Sequence, residues 1–291
     1  MQPNGLRRRL VLAANYCLMA VIVAVFLIPI YTMVTMSFKA PIDVIQNPPN
    51  LFTHLSWVNY RSVLFGEQLE GASMISGADI AFGRSLLNSL FISVAATMLA
   101  LLCGVPAAYV LARHEFKGKR NVAMFVLSTR FAPPLAVLIP FYILFSRLHL
   151  LDTHLALIIM YTMMNLSLVV WMMMGYIREL PRELEESAQV DGCTRLGALR
   201  YVTFPLVAPG LAATTIFTVM TSWNEFVFAV LLTSQAARTA PVAALAYIRY
   251  MFVAWGPLTA AGTLISMPVL IFVLIFQQRL VRGLTMGAIR G

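Results

Sequence analysis

"EESAQVDGCTRLGALRYVTFP", residues 185–205, lies between two long apolar segments and is itself polar, with both signs of charge. Pro181, just upstream, suits the first turn of a helix, where its missing N–H costs nothing. Glu183, Glu185 and Glu186 follow at the end where the macrodipole favours negative charge, and Arg195 and Arg200 come later. The pattern predicts a short helix over 182–190, a sharp bend at Gly192 and a second short helix over 194–201. Pro205 then starts the turn back into the next apolar segment. Leu184, Ala188, Val190, Leu196, Leu199 and Val202 are spaced to share one face. A small helix with an apolar face and charged flanks suits a groove on a partner. It also suits the lipid headgroup layer, so at this level both readings stand.

The surroundings of this elbow are greasy. Of 291 residues, 60% are hydrophobic and 11% charged, with mean hydropathy +0.81. A soluble domain carries roughly 25% charged residues, so much of this chain's solvent must be lipid. The net charge of +9 fits loops rich in Lys and Arg on one membrane side. No basic, aromatic-laced soluble face is present to carry nucleic acid. Cys17, Cys103 and Cys193 form neither a disulfide framework nor a zinc pattern. His54, His114, His149 and His154 are scattered.

A spanning helix needs about 20 apolar residues. Six such segments read out at 12–36, 84–111, 121–146, 154–176, 208–232 and 258–280. The first follows Arg7-Arg8-Arg9 like a signal peptide, but it is too long and lacks a small-residue cleavage site, so it reads as a retained helix. Pro29, Pro106, Pro133, Pro134, Pro140 and Pro268 fall in or near the spans and predict kinks, which bundled membrane helices tolerate. Lys and Arg concentrate before the first span, between the second and third, in the elbow and after the sixth. By the positive-inside rule both termini and the elbow are cytoplasmic. The expected organisation is all-α, with a cytoplasmic N-terminus at 1–11, one permease-like membrane domain at 12–280 and a cytoplasmic tail at 281–291. Within it lie an outer loop at 37–83, punctuated by "NPPNLF", and the cytoplasmic loop at 178–207. The stretch 241–254 is too short for a seventh span and reads as an interfacial helix on the outer side.

No P-loop, G-x-S-x-G, H-E-x-x-H or G-x-G-x-x-G occurs, so no ATPase or hydrolase motif is present. No cofactor or metal site is expected in this chain. Arg130 and Glu225 are the ionisable residues that read as deep in the membrane. Ser222, Trp223, Asn224, Glu225 and Phe226 offer hydrogen-bonding groups and aromatic faces, as a sugar would require along a transport path. The competing reading is a packing cluster, with Glu225 paired to Arg130 or to backbone groups. Arg130 beside Pro133 and Pro134 fits a bend better than a gate.

The elbow resembles the signature loop of bacterial ABC importer permeases. That pattern is Glu-Ala-Ala, three residues, Gly, nine residues, Ile, one residue, Leu, Pro. Here Glu186-Ser187-Ala188 precede Asp191-Gly192 in register, and nine residues after Gly192 come Val202, Thr203, Phe204 and Pro205. Ser187, Val202 and Phe204 are the departures. "AAYVLARHEFKGKR" (107–120), "TRFAPPLAVLIPFYILF" (129–145), "SWNEFVFAVLLT" (222–233) and "LVRGLTMGAIRG" (280–291) resemble the six-span partner of the maltose-type sugar permeases. The resemblance implies the type I importer permease fold in a bacterial plasma membrane. It implies a second, different permease, two ATPase subunits that bind ATP and Mg, and an extracytoplasmic substrate-binding protein. It places Glu185, Glu186, Ser187, Ala188, Asp191, Gly192 and Pro205 at the coupling contact with the ATPases, with the tail 283–291 also near them. A permease for a polyol or glycerol phosphodiester would look nearly the same. An ion-coupled secondary carrier would need a coupling-ion site, for which one Glu is thin support.

Overall fold

The computed structural model describes residues 5–40, 43, 55–67, 82–249 and 252–285. The helices are α1 (Gly5–Ser37), α2 (Val58–Phe65), α3 (Phe82–Arg113), α4 (Lys119–Ser128), α5 (Pro134–Arg147), α6 (His154–Glu179), α7 (Glu183–Val190), α8 (Arg195–Ala198), α9 (Phe204–Trp223), α10 (Val227–Leu232), α11 (Ala240–Ala244) and α12 (Trp255–Thr285). Five helices are each long and apolar enough to cross a bilayer, and α4 with α5 is a bent pair that brings the number to six if it is one span. The expected six spans correspond to this upper count. "NPPNLF" and residues 286–291 of the tail lie outside the described residues.

Three expectations are corrected in detail. The third span is not a kinked helix but two helices meeting at 93°. Pro133 and Pro134 supply no N–H, and each forces its predecessor out of helical geometry: Ala132 sits at ψ 127° and Pro133 at ψ 126°. The fifth span is likewise interrupted, with α9 ending at Trp223 and α10 starting at Val227. The stretch 241–254 is not one interfacial helix. Only α11 and a 3₁₀ turn at Leu245–Tyr247 are helical, and β1 (Ile248–Arg249) then pairs antiparallel with β2 (Phe252–Val253).

The chain divides into two compact units. The first comprises residues 1–83 and 244–266. Its α1 side chains from Val11 to Tyr31 are mostly exposed, as a helix facing lipid or another chain would be. Below α1, Tyr60 meets Ser37 Oγ at 2.8 Å, and Asn59 donates to the carbonyls of Ser37 (3.0 Å) and Lys39 (2.7 Å). Phe38, Trp57 and Tyr60 pack their rings together. Gly256 accommodates Asn59, whose side chain lies 2.5 Å from where a Cβ would stand.

The second unit, residues 84–243 and 267–291, carries the elbow. Its packing centres on α6, which lies against α9 and α3 by way of small residues. A Cβ at Gly104 would fall 2.6 Å from Val169, and one at Gly210 2.4 Å from the Tyr176 ring. Close backbone approach at small residues is how membrane helices gain contact without a hydrophobic driving force. One apolar cluster, around Ile92, Leu157, Tyr161 and Phe228, fills the half away from the elbow. Another, around Ala108, Val169, Met173 and Val207, fills the elbow half.

At the end away from the elbow, the α5–α6 turn is latched by Asp152. Its carboxylate accepts from the backbone N–H groups of Ser234, Gln235, Ala236 and Ala237 and from the Ser234 hydroxyl. Asn88 holds the same loop through the carbonyls of Ala236 and Arg238, both at 3.0 Å. Partial burial works to raise the Asp152 pKa, but the donors from Ala236, Ser234 and Ala237 outweigh it and hold the carboxyl well below the usual range. A depressed folded-state pKa gives stability that is complete above the unfolded value of about 3.9 and is lost as pH falls below it. Asp152→Ala is therefore expected to destabilise by about 1–2 kcal/mol at neutral pH, after discounting for partial exposure. Thermal unfolding of both proteins in detergent between pH 7 and pH 3 checks this. The gap should narrow below pH 4, and a gap independent of pH would refute the latch.

Candidate functional site

The elbow forms as its residues dictate. α7 carries Glu183, Glu185 and Glu186 in its first turn. It ends in a Schellman motif: the Cys193 N–H donates to the Ala188 carbonyl at 3.0 Å and the Gly192 N–H to the Gln189 carbonyl at 3.1 Å. Gly192 takes φ 94°, the left-handed conformation that glycine adopts without strain. Thr194 then caps α8, its hydroxyl accepting from the Gly197 N–H at 3.1 Å.

Beyond α8 the helix does not turn at Pro205, as the sequence reading expected. Residues Leu199–Thr203 form a π turn that runs directly into α9, so Arg195–Trp223 is one continuous rod. Pro205 lacks an N–H and its ring crowds the carbonyl of residue 201; the wider π turn absorbs that defect without breaking the helix.

Glu185 is the surprise of the elbow. The resemblance places Glu185 among the contact residues, yet it is buried at 7% exposure and points into the fold. Its carboxylate accepts from Arg113 Nε (2.9 Å), the Tyr109 hydroxyl (3.0 Å) and the Thr203 hydroxyl (2.8 Å). Arg113 also donates to the Leu180 carbonyl at 3.1 Å. One carboxylate thus joins α7 to the end of α3 and to the rod that becomes α9. The other grouped residues face outward: Glu186, Ser187, Asp191, Gly192 and Pro205 are exposed, and Ala188 is half-buried. The expected single apolar face is split. Val190 (87% exposed) and Leu196 (77%) point out, whereas Leu199 and Val202 are partly covered.

The residues expected on a transport path meet at the break in the fifth span. Trp223 is buried, Asn224 exposed, and Phe226 borders on exposed. Asn224 folds back onto the Met220 carbonyl at 2.9 Å. Glu225 accepts from the N–H groups of Phe228 (2.9 Å) and Ala229 (3.2 Å), satisfying the first turn of α10. Both of its oxygens are thus used by backbone rather than by Arg130. Arg130 is exposed, on the 3₁₀ turn before the bend of the third span. The sequence reading missed two neighbours. Tyr161 buries its hydroxyl beside the Glu225 carboxylate without a hydrogen bond of regular geometry. Asn165 donates to Ser222 Oγ at 2.9 Å and accepts from the Thr221 hydroxyl at 2.7 Å. Polar residues at i, i+4 within an apolar span were the signal that could have found them. Among the described residues, no group of His, Cys, Asp and Glu could hold a metal.

Comparison with known proteins places this architecture. Residues 100–286 match the family described as the binding-protein-dependent transport system inner membrane component. The chain is similar to the trehalose/maltose transport system permease protein MalG of Thermococcus litoralis, 32% identical over 98% of each chain. It is also similar to the trehalose transport system permease protein SugB of Mycobacterium tuberculosis, 32% identical over 93% of this chain and 94% of that one. Among solved structures, a chain of a bacterial ABC transporter involved in the import of the acidic polysaccharide alginate shares the fold. The TM-score is 0.74 at 21% identity, over 96% of this chain and 99% of that one. With its spans, its elbow and these matches, the chain belongs to the inner-membrane permease components of binding-protein-dependent ABC transport systems and is a multi-pass membrane protein.

Proposed function

We propose that this chain is one permease subunit of an ATP-driven importer that moves a carbohydrate delivered by a substrate-binding protein. It pairs with a second permease and two cytoplasmic ATPase subunits, which bind the ATP and Mg. Relatives named for trehalose and maltose transport support a sugar as the solute class. The observation that carries the coupling role is the elbow itself. A rigid, Schellman-capped corner presents Glu186, Asp191, Val190 and Leu196 outward while Glu185 fixes it from behind. Closure of the ATPases on ATP presses this corner. The push passes through the rod into the fifth span and opens the path outward; hydrolysis resets it.

The test is a mild-detergent pull-down of the tagged chain co-expressed with its neighbouring genes. A P-loop ATPase should co-purify, and Gly192→Asp should weaken its retention at least tenfold while leaving membrane insertion intact. Asp tolerates the left-handed conformation better than most residues, and no atom lies within 4 Å of the added Cβ. Asp and Asn share the strain of φ 94° at this position, so the difference between them isolates charge at the contact, and Gly192→Asn should retain more ATPase than Gly192→Asp. A chain that purifies alone and carries sugar in liposomes without ATP would overturn the reading in favour of a secondary carrier.

A further inference from the structure

A recess of about 660 Å³ opens near the elbow end of the second unit, between the segment 115–127 and α6. One side of it carries the cations Lys119, Arg120 and Arg178. The one carboxylate among its lining residues, Glu115, already receives a hydrogen bond from Lys119 Nζ at 2.8 Å, and Arg182 stands 3.9 Å away. The bond from Lys119 holds Glu115 below the usual carboxylate range, so it stays ionised, and the lining keeps a net charge of +2 (three cations less one anion). The other side is apolar, and two of its members are open to the surroundings: Trp171 at 57% and Met124 at 58% exposure. Along α6, Trp171 precedes Arg178 by two turns, about 10 Å. The recess thus passes from cationic to apolar over roughly the distance from a lipid phosphate to the first part of its acyl chain.

We infer that this recess binds an anionic phospholipid, with the phosphate among Lys119, Arg120 and Arg178 and an acyl chain along Trp171 and Met124. The polarity gradient points to an amphiphile rather than a sugar, which would leave the apolar side unmatched. The excess positive charge selects against a zwitterionic headgroup, whose ammonium it would repel. Basic pockets between spans, with an indole at the interface, are where anionic headgroups settle. The first turn of α4 adds backbone N–H groups with no side-chain cap over them. The inference rests on the second unit alone and does not depend on the solute or on the ATPase partners.

The test uses the full chain with whatever subunits purify with it, in nanodiscs of phosphatidylcholine doped with phosphatidylglycerol. Native mass spectrometry of the released protein counts retained lipid. Wild type should retain phosphatidylglycerol preferentially. The triple variant Lys119→Gln, Arg120→Gln, Arg178→Gln should lose at least tenfold of that preference, and the charge-conserving triple Lys119→Arg, Arg120→Lys, Arg178→Lys should keep it. Arg147→Gln, basic but at the opposite end of α5, should behave as wild type. Equal retention by wild type and the Gln triple would overturn the inference. So would a thermal shift of wild type on titrating inorganic phosphate into pure phosphatidylcholine nanodiscs that matches the shift from phosphatidylglycerol, because the recess would then bind a soluble anion.

Discussion

Replacing Glu185 by Ala is expected to destabilise the second unit by about 3–5 kcal/mol, the cost of removing one partner from a buried ion pair. The side chain of Arg113 is only 7% exposed and sits 2.9 Å from the lost carboxylate. It would be left charged in a low-dielectric setting, and the hydroxyls of Tyr109 and Thr203 would lose their acceptor at the same time. Reversible unfolding in mixed micelles reads the loss. Glu185→Met combined with Arg113→Met should recover most of it, because the desolvated charge is gone. A single-variant loss under about 1 kcal/mol would mean that the pair is effectively solvated. The functional signature is distinct from the thermal one. With the seat removed the elbow swings freely, so trypsin should cut sooner at Arg195 and Arg200, and ATP hydrolysis by an assembled complex should persist while transport falls. A variant that retains tight coupling would show that the seat contributes stability alone.

Gly210→Leu should be nearly as damaging. Even the first added carbon would lie 2.4 Å from the Tyr176 ring, closer than any real contact. Overpacking by one methyl typically costs about 1–3 kcal/mol, and three further carbons at a helix crossing leave no rotamer to escape into. The expected result is a chain that inserts but aggregates on size-exclusion chromatography. Gly210→Ala should be milder, and pairing it with Tyr176→Ala should restore a monodisperse peak by opening the space the methyl needs. If Gly210→Leu alone behaves as wild type, α6 and α9 do not pack as closely as the structure shows.

Much of this architecture was legible in the residues. The five long spans, the helix after Pro181 and the bend at Gly192 follow from local chemistry: apolar run length, charge against the macrodipole, and the one residue free to take φ 94°. What local reading could not give was direction. Glu185 and Glu186 are adjacent and chemically alike, yet one is buried and the other exposed. The residue that decides between them, Arg113, lies 72 positions upstream. The breaks were half legible. Pro133-Pro134 announced a bend but not its 93°, which depends on two successive residues losing helical geometry together. At 224–226, Asn and Glu inside an apolar run read either as groups for a solute or as a packing cluster with Glu225 on Arg130 or the backbone. A carboxylate just ahead of a helix serves equally as that helix's cap, and Glu225 does so. The pairing of β1 with β2 was hidden by its hydrophobicity, although Ile248, Phe252 and Val253 are strand formers.

On the proposed coupling role, the continuous helix from Arg195 to Trp223 would act as a lever. Thr203, bonded to the seated Glu185, divides it unequally. At about 1.5 Å of rise per residue, roughly 12 Å lies on the elbow side and roughly 30 Å on the membrane side. If Thr203 is the fulcrum, the rod is a lever with an amplification of about 2.5, so that a 1 Å push at Arg195 arrives as about 2.5 Å at Trp223. On that role, the stroke would arrive where the helix ends, at the hydrogen-bonded break of Asn224, Glu225 and Phe226 that links it to α10.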